Sequence, residues 1–368
     1  MIKIRSFILS YLQWKRRDRY MDILKTITEL TRTPGVSGNE CAVADILERN
    51  FRKYTSDVWR DPMGNVYGRI GSGKPVVMLM AHMDEIGMAV TEIEKNGMLR
   101  MCQVGGVDPR VLPGSEVVVY GKEILKGVVG TVPPHLLKES DRNSAYDLYN
   151  LTCDVGLPYE KVIELVSVGD FITFDNLPPL ELKNGFIAGK TFDDRAMAAA
   201  LVEVLDILSK RKLNCTVVCV GSVQEELGCL GAGVASYNLK PDLAIATDVC
   251  HAPTPGADPQ RVLDPSKVAV TTGGNIHPGV HRMITEAAKE LNIPYGVEVA
   301  IARTGTDAWN IQTQCGGIAV GLISLPLRYM HTNVETISLN TLHNCAKLLA
   351  EVPASIGEDW EEKLCWND

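Results

Sequence analysis

Short apolar runs that end in a histidine or an acid predict an α/β fold with an inserted β domain. Three observations carry that expectation. Val76–Met80 runs into His82, Cys215–Val223 into Glu225 and Leu243–Thr247 into Asp248, and each run has the length of a buried strand rather than a helix. Between such runs lie longer stretches with apolar residues at helical spacing, the alternation of an α/β domain. From Ile86 to about Gly185 the texture changes to β-branched runs cut by Gly and Pro, such as Val117-Val118-Val119-Tyr120 and Phe171-Ile172-Thr173-Phe174, which predicts a small barrel or sandwich. The chain therefore divides into an N-terminal extension (1–20), an α/β domain in two pieces (21–85 and 186–368) and a β insertion (86–185).

The elements follow in order. Ile23, Leu24, Ile27 and Leu30 predict a helix stopped by Thr33-Pro34-Gly35, and Ser37-Gly38-Asn39-Glu40 reads as a capping box before a second helix on Val43, Ile46, Leu47 and Phe51. Two strands about Met63-Gly64-Asn65 lead to the strand that ends at His82. Within the insertion, the polar segment Pro133–Asn150 reads as a mobile loop with an exposed His135, and long helices are not expected. After it, Asp194 is expected to cap a helix bearing Leu201, Val204, Leu205 and Leu208. Helices are expected at Leu227–Tyr237, Pro278–Leu291 and Leu339–Ala350, and further strands at Val268–Thr271, Val297–Ala302 and Ile318–Ile323.

Composition narrows the function. With 45% apolar and 22% charged residues the chain is an ordinary globular one. A net charge of −8 and no basic stripe exclude a dedicated nucleic-acid surface. The ten cysteines lie mostly inside apolar segments and read as small buried side chains, which fits a reducing cytoplasm. In residues 1–20 the basic cluster Lys15-Arg16-Arg17 follows the apolar part, the wrong order for a signal peptide, and that part is too short to span a bilayer. No membrane partner is expected.

Strand ends and helix starts thus deliver His82 and Asp84, Asp193 and Asp194, Glu225 and Glu226, Asp248 and His331. Imidazole and carboxylate ligands in this mixture suit a pair of borderline divalent ions, which about 3.5–4 Å apart clamp the attacking and leaving oxygens of a hydrolysis. One carboxylate would bridge them. The doublet Glu225-Glu226 offers one ligand and one free general base, without fixing which is which.

Longer motifs carry a resemblance. They are Ala81-His82-Met83-Asp84-Glu85-Ile86-Gly87, Val104-Gly105-Gly106-Val107-Asp108-Pro109-Arg110-Val111-Leu112-Pro113-Gly114, Phe192-Asp193-Asp194-Arg195, Gln224-Glu225-Glu226-Leu227-Gly228, Asp248-Val249-Cys250-His251-Ala252, Gly305-Thr306-Asp307-Ala308 and Arg328-Tyr329-Met330-His331. Together they make residues 21–352 similar to the tetrahedral (TET) aminopeptidase family, which includes glutamyl and deblocking aminopeptidases and members labelled cellulase M or endoglucanase. The resemblance implies a zinc-peptidase-like mixed sheet sandwiched by helices, with the β insertion as a dimerisation domain and assembly up to a tetrahedral dodecamer. It implies two divalent ions per subunit, zinc first, with cobalt or manganese as alternatives. His82 and Asp248 would hold one ion, Glu226 and His331 the other, with Asp193 bridging. Glu225 would be the base acting on the attacking water, and Asp84 the carboxylate that fixes the His82 ring. The chain departs from the family pattern at Val107, where Trp is frequent, and at Thr332-Asn333, where Ser-Pro is common; neither is a proposed ligand.

The resulting expectation is an aminopeptidase acting on short peptides. A di-metal deacylase on another amide keeps the same site, whereas a glycoside hydrolase would need two free carboxylates flanking a sugar bond. His251, Asp307 and Arg328 are candidate substrate-binding residues, with helix capping as the competing role for Asp307. Arg303 and Arg328 are read either as partners of internal acids or as receptors for an acidic first residue, and the pocket is expected to favour neutral or acidic residues over basic ones.

Overall fold

Two helices open the described chain and cover one face of a sheet. Helix α1 (residues 23–31) buries Ile23, Ile27 and Leu30, and α2 (Cys41–Phe51) buries Val43, Leu47 and Phe51, both at the spacing expected of one helical face. The structure is a computed structural model that describes residues 23–137 and 147–365. The N-terminal extension and residues 138–146 of the expected Pro133–Asn150 loop lie outside the described residues, while His135 is exposed. The capping box does not form. Glu40 Oε1 instead accepts from the amides of Gly38 (2.8 Å) and Gln224 (3.1 Å), and Ser37 Oγ donates to Asp84 Oδ2 at 2.6 Å. The motif is recruited by loops around the site, which outcompete a local cap.

Strands β1 (Asp57–Arg60), β2 (Val66–Gly71) and β3 (Val76–His82) begin the main sheet. A closed barrel follows: β4 (Gly87–Ile93), β5 (Leu99–Val104), β6 (Glu116–Tyr120), β7 (Ile124–Gly130), β8 (Thr152–Asp154) and β9 (Phe171–Phe174), in the order β4-β5-β8-β7-β6-β9. Alternate residues fill it, with Met88, Val90, Val117, Val119 and Ile172 in one core. The insertion is not all β, because the short helix α3 (Tyr159–Leu165) seals the core with Val162.

The chain then forms β10 (Leu180–Glu181) and β11 (Phe186–Gly189), followed by α4 (Phe192–Leu208), β12 (Thr216–Ser222), α5 (Leu230–Leu239) and β13 (Leu243–His251). Next come β14 (Val268–Gly273), α6 (Pro278–Glu290), β15 (Tyr295–Ala300), α7 (Asp307–Ile311), β16 (Ala319–Leu327), β17 (Glu335–Ser338), α8 (Leu339–Ala354) and α9 (Trp360–Lys363). The main sheet has eight strands in the order β1-β2-β12-β3-β13-β16-β14-β15 and is mixed; β12, β3, β13 and β16 run parallel at its centre. A small antiparallel sheet β10-β11-β17 stands apart from the main sheet and spans the 185/186 position. Helix α5 starts three residues later than expected, after Gly228 and a left-handed Cys229.

Period-2 burial makes the centre a two-faced core. In β3, Val77, Leu79 and Ala81 pack on α2 and α4, whereas Met78 and Met80 face the opposite core with Ala232 of α5 and Ala308 of α7. Each fully buried aliphatic side chain contributes about 1.5–3 kcal/mol relative to exposure, so these strand ends are rigid platforms. One buried cation ties the platform together. Arg195 satisfies its guanidinium on Met83 O (2.9 Å), Leu30 O (2.8 Å), Thr33 O (2.5 Å), Gly35 O (3.3 Å) and Glu85 Oε1 (3.2 Å), and Lys190 pairs with the other Glu85 oxygen at 2.5 Å. Removing one member would strand a buried charge, at a cost of about 3–5 kcal/mol.

Candidate active site

Parallel register brings the acids to one edge. Ser222 of β12 lies level with His82 of β3, so Glu225 and Glu226 emerge just beyond it. Ala246 of β13 is level with Met80, which puts Asp248 two residues on, beside His82. This is the carboxyl edge at which open α/β sheets keep their ligands. Several residues of the loops there hold left-handed φ that non-glycines avoid: Thr191 (59°), Gln224 (56°), Tyr329 (60°) and His331 (61°).

Asp193 sits between the two histidines. Its Oδ1 is 3.1 Å from His82 Nε2, and its Oδ2 is 3.2 Å from His331 Nε2. Two ligand-atom groups share it, His82–Asp193–Asp248 and Asp193–Glu226–His331, each with its atoms within 4.8 Å of one another. Glu226 Oε1 is 3.3 Å from His331 Nε2, and Glu225 Oε2 is 4.0 Å from His82 Nε2.

Asp84 holds the doublet behind these atoms. Its two oxygens accept the amides of Glu225 (3.0 Å) and Glu226 (3.1 Å), and Oδ1 lies 3.3 Å from His82 Nδ1. Burial alone would raise the Asp84 carboxyl, but the His82 ring, Ser37 hydroxyl and Glu225 amide outweigh it and hold it below the ordinary value. The other acids move the opposite way. Burial, with neighbouring carboxylates adding to it, pushes Glu225 up to about 8 and Asp248 and Glu226 above their usual range.

Asp194 does not cap α4. It lies buried with both oxygens unpartnered among the described residues, and Thr191 occupies the cap position without a side-chain bond. The missing cap is supplied from β17: Glu335 Oε2 accepts the Asp193 amide (3.1 Å), and Oε1 accepts the His331 amide (2.9 Å). Glu335 thus clamps two candidate ligands at once. Sequence reasoning missed it, although it stands four residues after His331. Gly106, from the loop after β5, also braces the site: its carbonyl lies 2.9 Å from His331 Nδ1, and a Cβ on it would meet that ring nitrogen at 2.6 Å. Only glycine leaves the ring that room.

Asp307 is not the cap of α7 either, because Thr306 Oγ1 accepts the Ala308 amide there. Asp307 is buried, takes the Ser222 hydroxyl on Oδ2 at 2.5 Å, and approaches Glu225 and Cys229. His251, the exposed last residue of β13, lines a cavity of ≈ 700 Å³ with Arg261, Arg303, Val297, Val299 and Thr304. The expected internal ion pairs of the arginines are absent among the described residues: Arg303 lies over the Trp309 ring (5.9 Å) and Arg328 over Phe186 (5.3 Å). His277 accepts the Gly279 amide, His281 contacts Thr271 O and His343 pairs with Glu203, so the other helix histidines have structural partners.

The donor set fits two divalent ions. Asp193, Glu226, Asp248 and two imidazoles converge in two groups of atoms within 4.8 Å, and the buried cations Lys190 and Arg195 pair with Glu85 instead. Crowded carboxylates without cations are unfavourable at this depth, and dications relieve that repulsion directly.

Residues 64–348 match the family of M42 glutamyl aminopeptidases. The chain is 36% identical over 352 residues to SgcX of Escherichia coli K12 (89% of this chain, 92% of that one) and 33% identical over 337 residues to the lysyl aminopeptidase of Pyrococcus furiosus (89% and 94%). Against the glutamyl aminopeptidase of Lactococcus lactis identity is 26% over 351 residues (92% and 98%). Among solved structures, aminopeptidase APDkam598 of the archaeon Desulfurococcus kamchatkensis superposes with a TM-score of 0.86 at 31% identity (94% and 98% covered). The TET1 peptidase of Pyrococcus horikoshii, which can assemble into a tetrahedron or a large octahedral shell, gives 0.79 at 30% (91% and 100%). The fold, the motifs and these likenesses agree: the chain belongs to the M42 peptidase family and is an aminopeptidase, a hydrolase of peptide bonds.

Proposed function

We propose that this aminopeptidase works with two divalent ions, His82 and Asp248 holding one, Glu226 and His331 the other, and Asp193 shared. The observation that carries the reading is the Asp193 carboxylate, which turns one oxygen to each histidine at 3.1 and 3.2 Å. The ions supply Lewis acidity toward the attacking water and the scissile carbonyl. Glu225, beside the ligands, takes a proton from that water and delivers it to the leaving amine. Its place favours this role: Glu225 is buried beside the candidate ligands, with Oε2 4.0 Å from His82 Nε2 and its amide held by Asp84. Asp84 fixes the His82 ring and the Glu225-Glu226 backbone together.

The substrates are short peptides with a free α-amine, which the surplus carboxylates near the ions attract. Zinc is the ion we assign, with cobalt or manganese as functional replacements, because the ligands are imidazole and carboxylate. Two carboxylates flanking a sugar, as a glycosidase needs, do not describe acids gathered around histidines. The insertion (86–185) serves self-association: barrel residues Ile124, Val128 and Val168 are exposed apolar side chains that a second subunit would cover. A reducing cytoplasm suits the ten unpaired cysteines, and among the described residues no helix is long and apolar enough to cross a membrane. Chelation should abolish release of nitroaniline from aminoacyl-nitroanilides, and zinc, cobalt or manganese should restore it. Full activity in the metal-stripped protein would overturn the reading.

A further inference from the structure

Glu225 has a neighbour that the two-ion centre does not employ. Cys229 Sγ donates to Glu225 Oε1 at 3.1 Å, and Asp307 brings a carboxylate oxygen within 4.8 Å of both. All three side chains are buried, with Cys229 2% and Asp307 1% exposed. While Asp307 Oδ2 takes the Ser222 hydroxyl, Oδ1 is buried with no partner among the described residues. Asp307 thus joins a thiol and a second carboxylate, one of its oxygens within 4.8 Å of both, and carries a buried oxygen with no hydrogen-bond partner among the described residues, a ligand set with no ion.

We propose that Glu225, Cys229 and Asp307 form a further, inhibitory metal site that takes a thiophilic dication such as zinc or cadmium. One sulfur and two carboxylate oxygens are a ligand set that zinc accepts, at about 2.3 Å to sulfur and 2.0–2.2 Å to oxygen. Ligands at those lengths around a tetrahedral ion stand roughly 3–4 Å from each other, and the 3.1 Å between Sγ and Oε1 already falls there. The thiol also sets the selectivity, because sulfur favours zinc and cadmium over magnesium, calcium or manganese. Charge permits a third ion. The paired ions engage Asp193, Glu226 and Asp248, which leaves Asp194, Glu225 and Asp307 as further acids in the same buried region.

Binding exchanges a proton for a metal. The S–H bond of Cys229, which now points to Glu225 Oε1, breaks; the proton leaves to solvent, and the thiolate and the two carboxylates bond the ion, with no change of oxidation state. A Glu225 carboxylate held this way on Oε1 keeps Oε2 free, but the bound cation draws charge from both oxygens and makes the group a much weaker base toward the proton of the attacking water. The site would therefore make the enzyme active with its paired ions and inhibited by an excess of the softer metal. The inhibition rests on Glu225 being the base; the binding does not.

Titrating the full-length holoenzyme with cobalt(II) tests the site directly. We expect a third equivalent to bind with a near-ultraviolet sulfur-to-cobalt charge-transfer band, which histidine and carboxylate ligands cannot give. The band should be lost in Cys229→Ala and in Cys229→Ser, the second of which keeps a hydroxyl donor should the first fold poorly. Zinc beyond two equivalents should lower kcat by at least ~10-fold in wild type, and by much less in either variant. A band that persists in both variants, coming from the exposed Cys41, Cys102, Cys315 or Cys365, overturns the proposal, as does the absence of a third equivalent. A Cys229-dependent band without inhibition would uphold the site and instead remove Glu225 from its role as base.

Discussion

The two histidines of the centre are held by different parts of the molecule. His82 is 1% exposed, ends the central strand and is backed by Asp84, itself fixed by the amides of Glu225 and Glu226 and by Ser37. His331 is 27% exposed, stands in a left-handed turn and is braced by the Gly106 carbonyl on one side and by Glu335 on its amide. The first half is made within the α/β part, by a strand end and the loops beside it. The second is complete only when the loop after β5 is seated against it, so the inserted barrel carries a piece of the site as well as an outer surface.

That difference can be broken in stages. Asp193 belongs to both halves, so Asp193→Ala should cost both ions and lower kcat/KM by more than ~10², read by metal analysis and nitroanilide assay. Retention of one tightly bound ion would mean that the carboxylate is not shared. Next, Asp84→Asn should weaken the ion of the His82 half, and Gly106→Ala the ion of the His331 half, each by about 10–100-fold in affinity. Asp84→Asn should also lower stability, because an amide group turned toward a backbone N–H leaves a buried donor unpaired, at about 1–3 kcal/mol. Gly106→Ala only displaces a half-exposed ring and should leave the melting temperature nearly unchanged. Equal loss of both ions in Gly106→Ala would erase the distinction between the halves. The smallest effect concerns the cavity at His251: with Arg261 and Arg303 in its wall, neutral and acidic first residues should be cleaved a few-fold faster than lysyl or arginyl ones, a preference of about 1 kcal/mol. A panel led by lysyl substrates would refute this.

What could be read from the sequence follows from the same contrast. The runs before His82, Glu225 and Asp248 are strands with period-2 cores on both faces, and a short apolar run ending in an imidazole or a carboxylate is a local signal. Asp193 and His331 came from a helix start and a loop after a strand, and the motif resemblance gave them their roles. Side chains that act through backbone groups left no such mark. Glu335 binds two amides, and Gly106 offers a carbonyl across domains; neither contact has a pattern in one dimension. Three capping assignments failed for one reason. Glu40, Asp194 and Asp307 all stand where helix caps belong, yet each is drawn into the buried region around the site, where tertiary bonds or burial decide the side chain's place over local preference.

In the proposed two-ion centre Glu225 stands beside the ligands and Glu226 among them. Metal content and kcat measured together on Glu225→Gln test it most directly. Two ions per subunit, as in wild type, are expected, with kcat lowered by at least ~10². Loss of metal matching that of Glu226→Ala would contradict it and exchange the roles of the two residues.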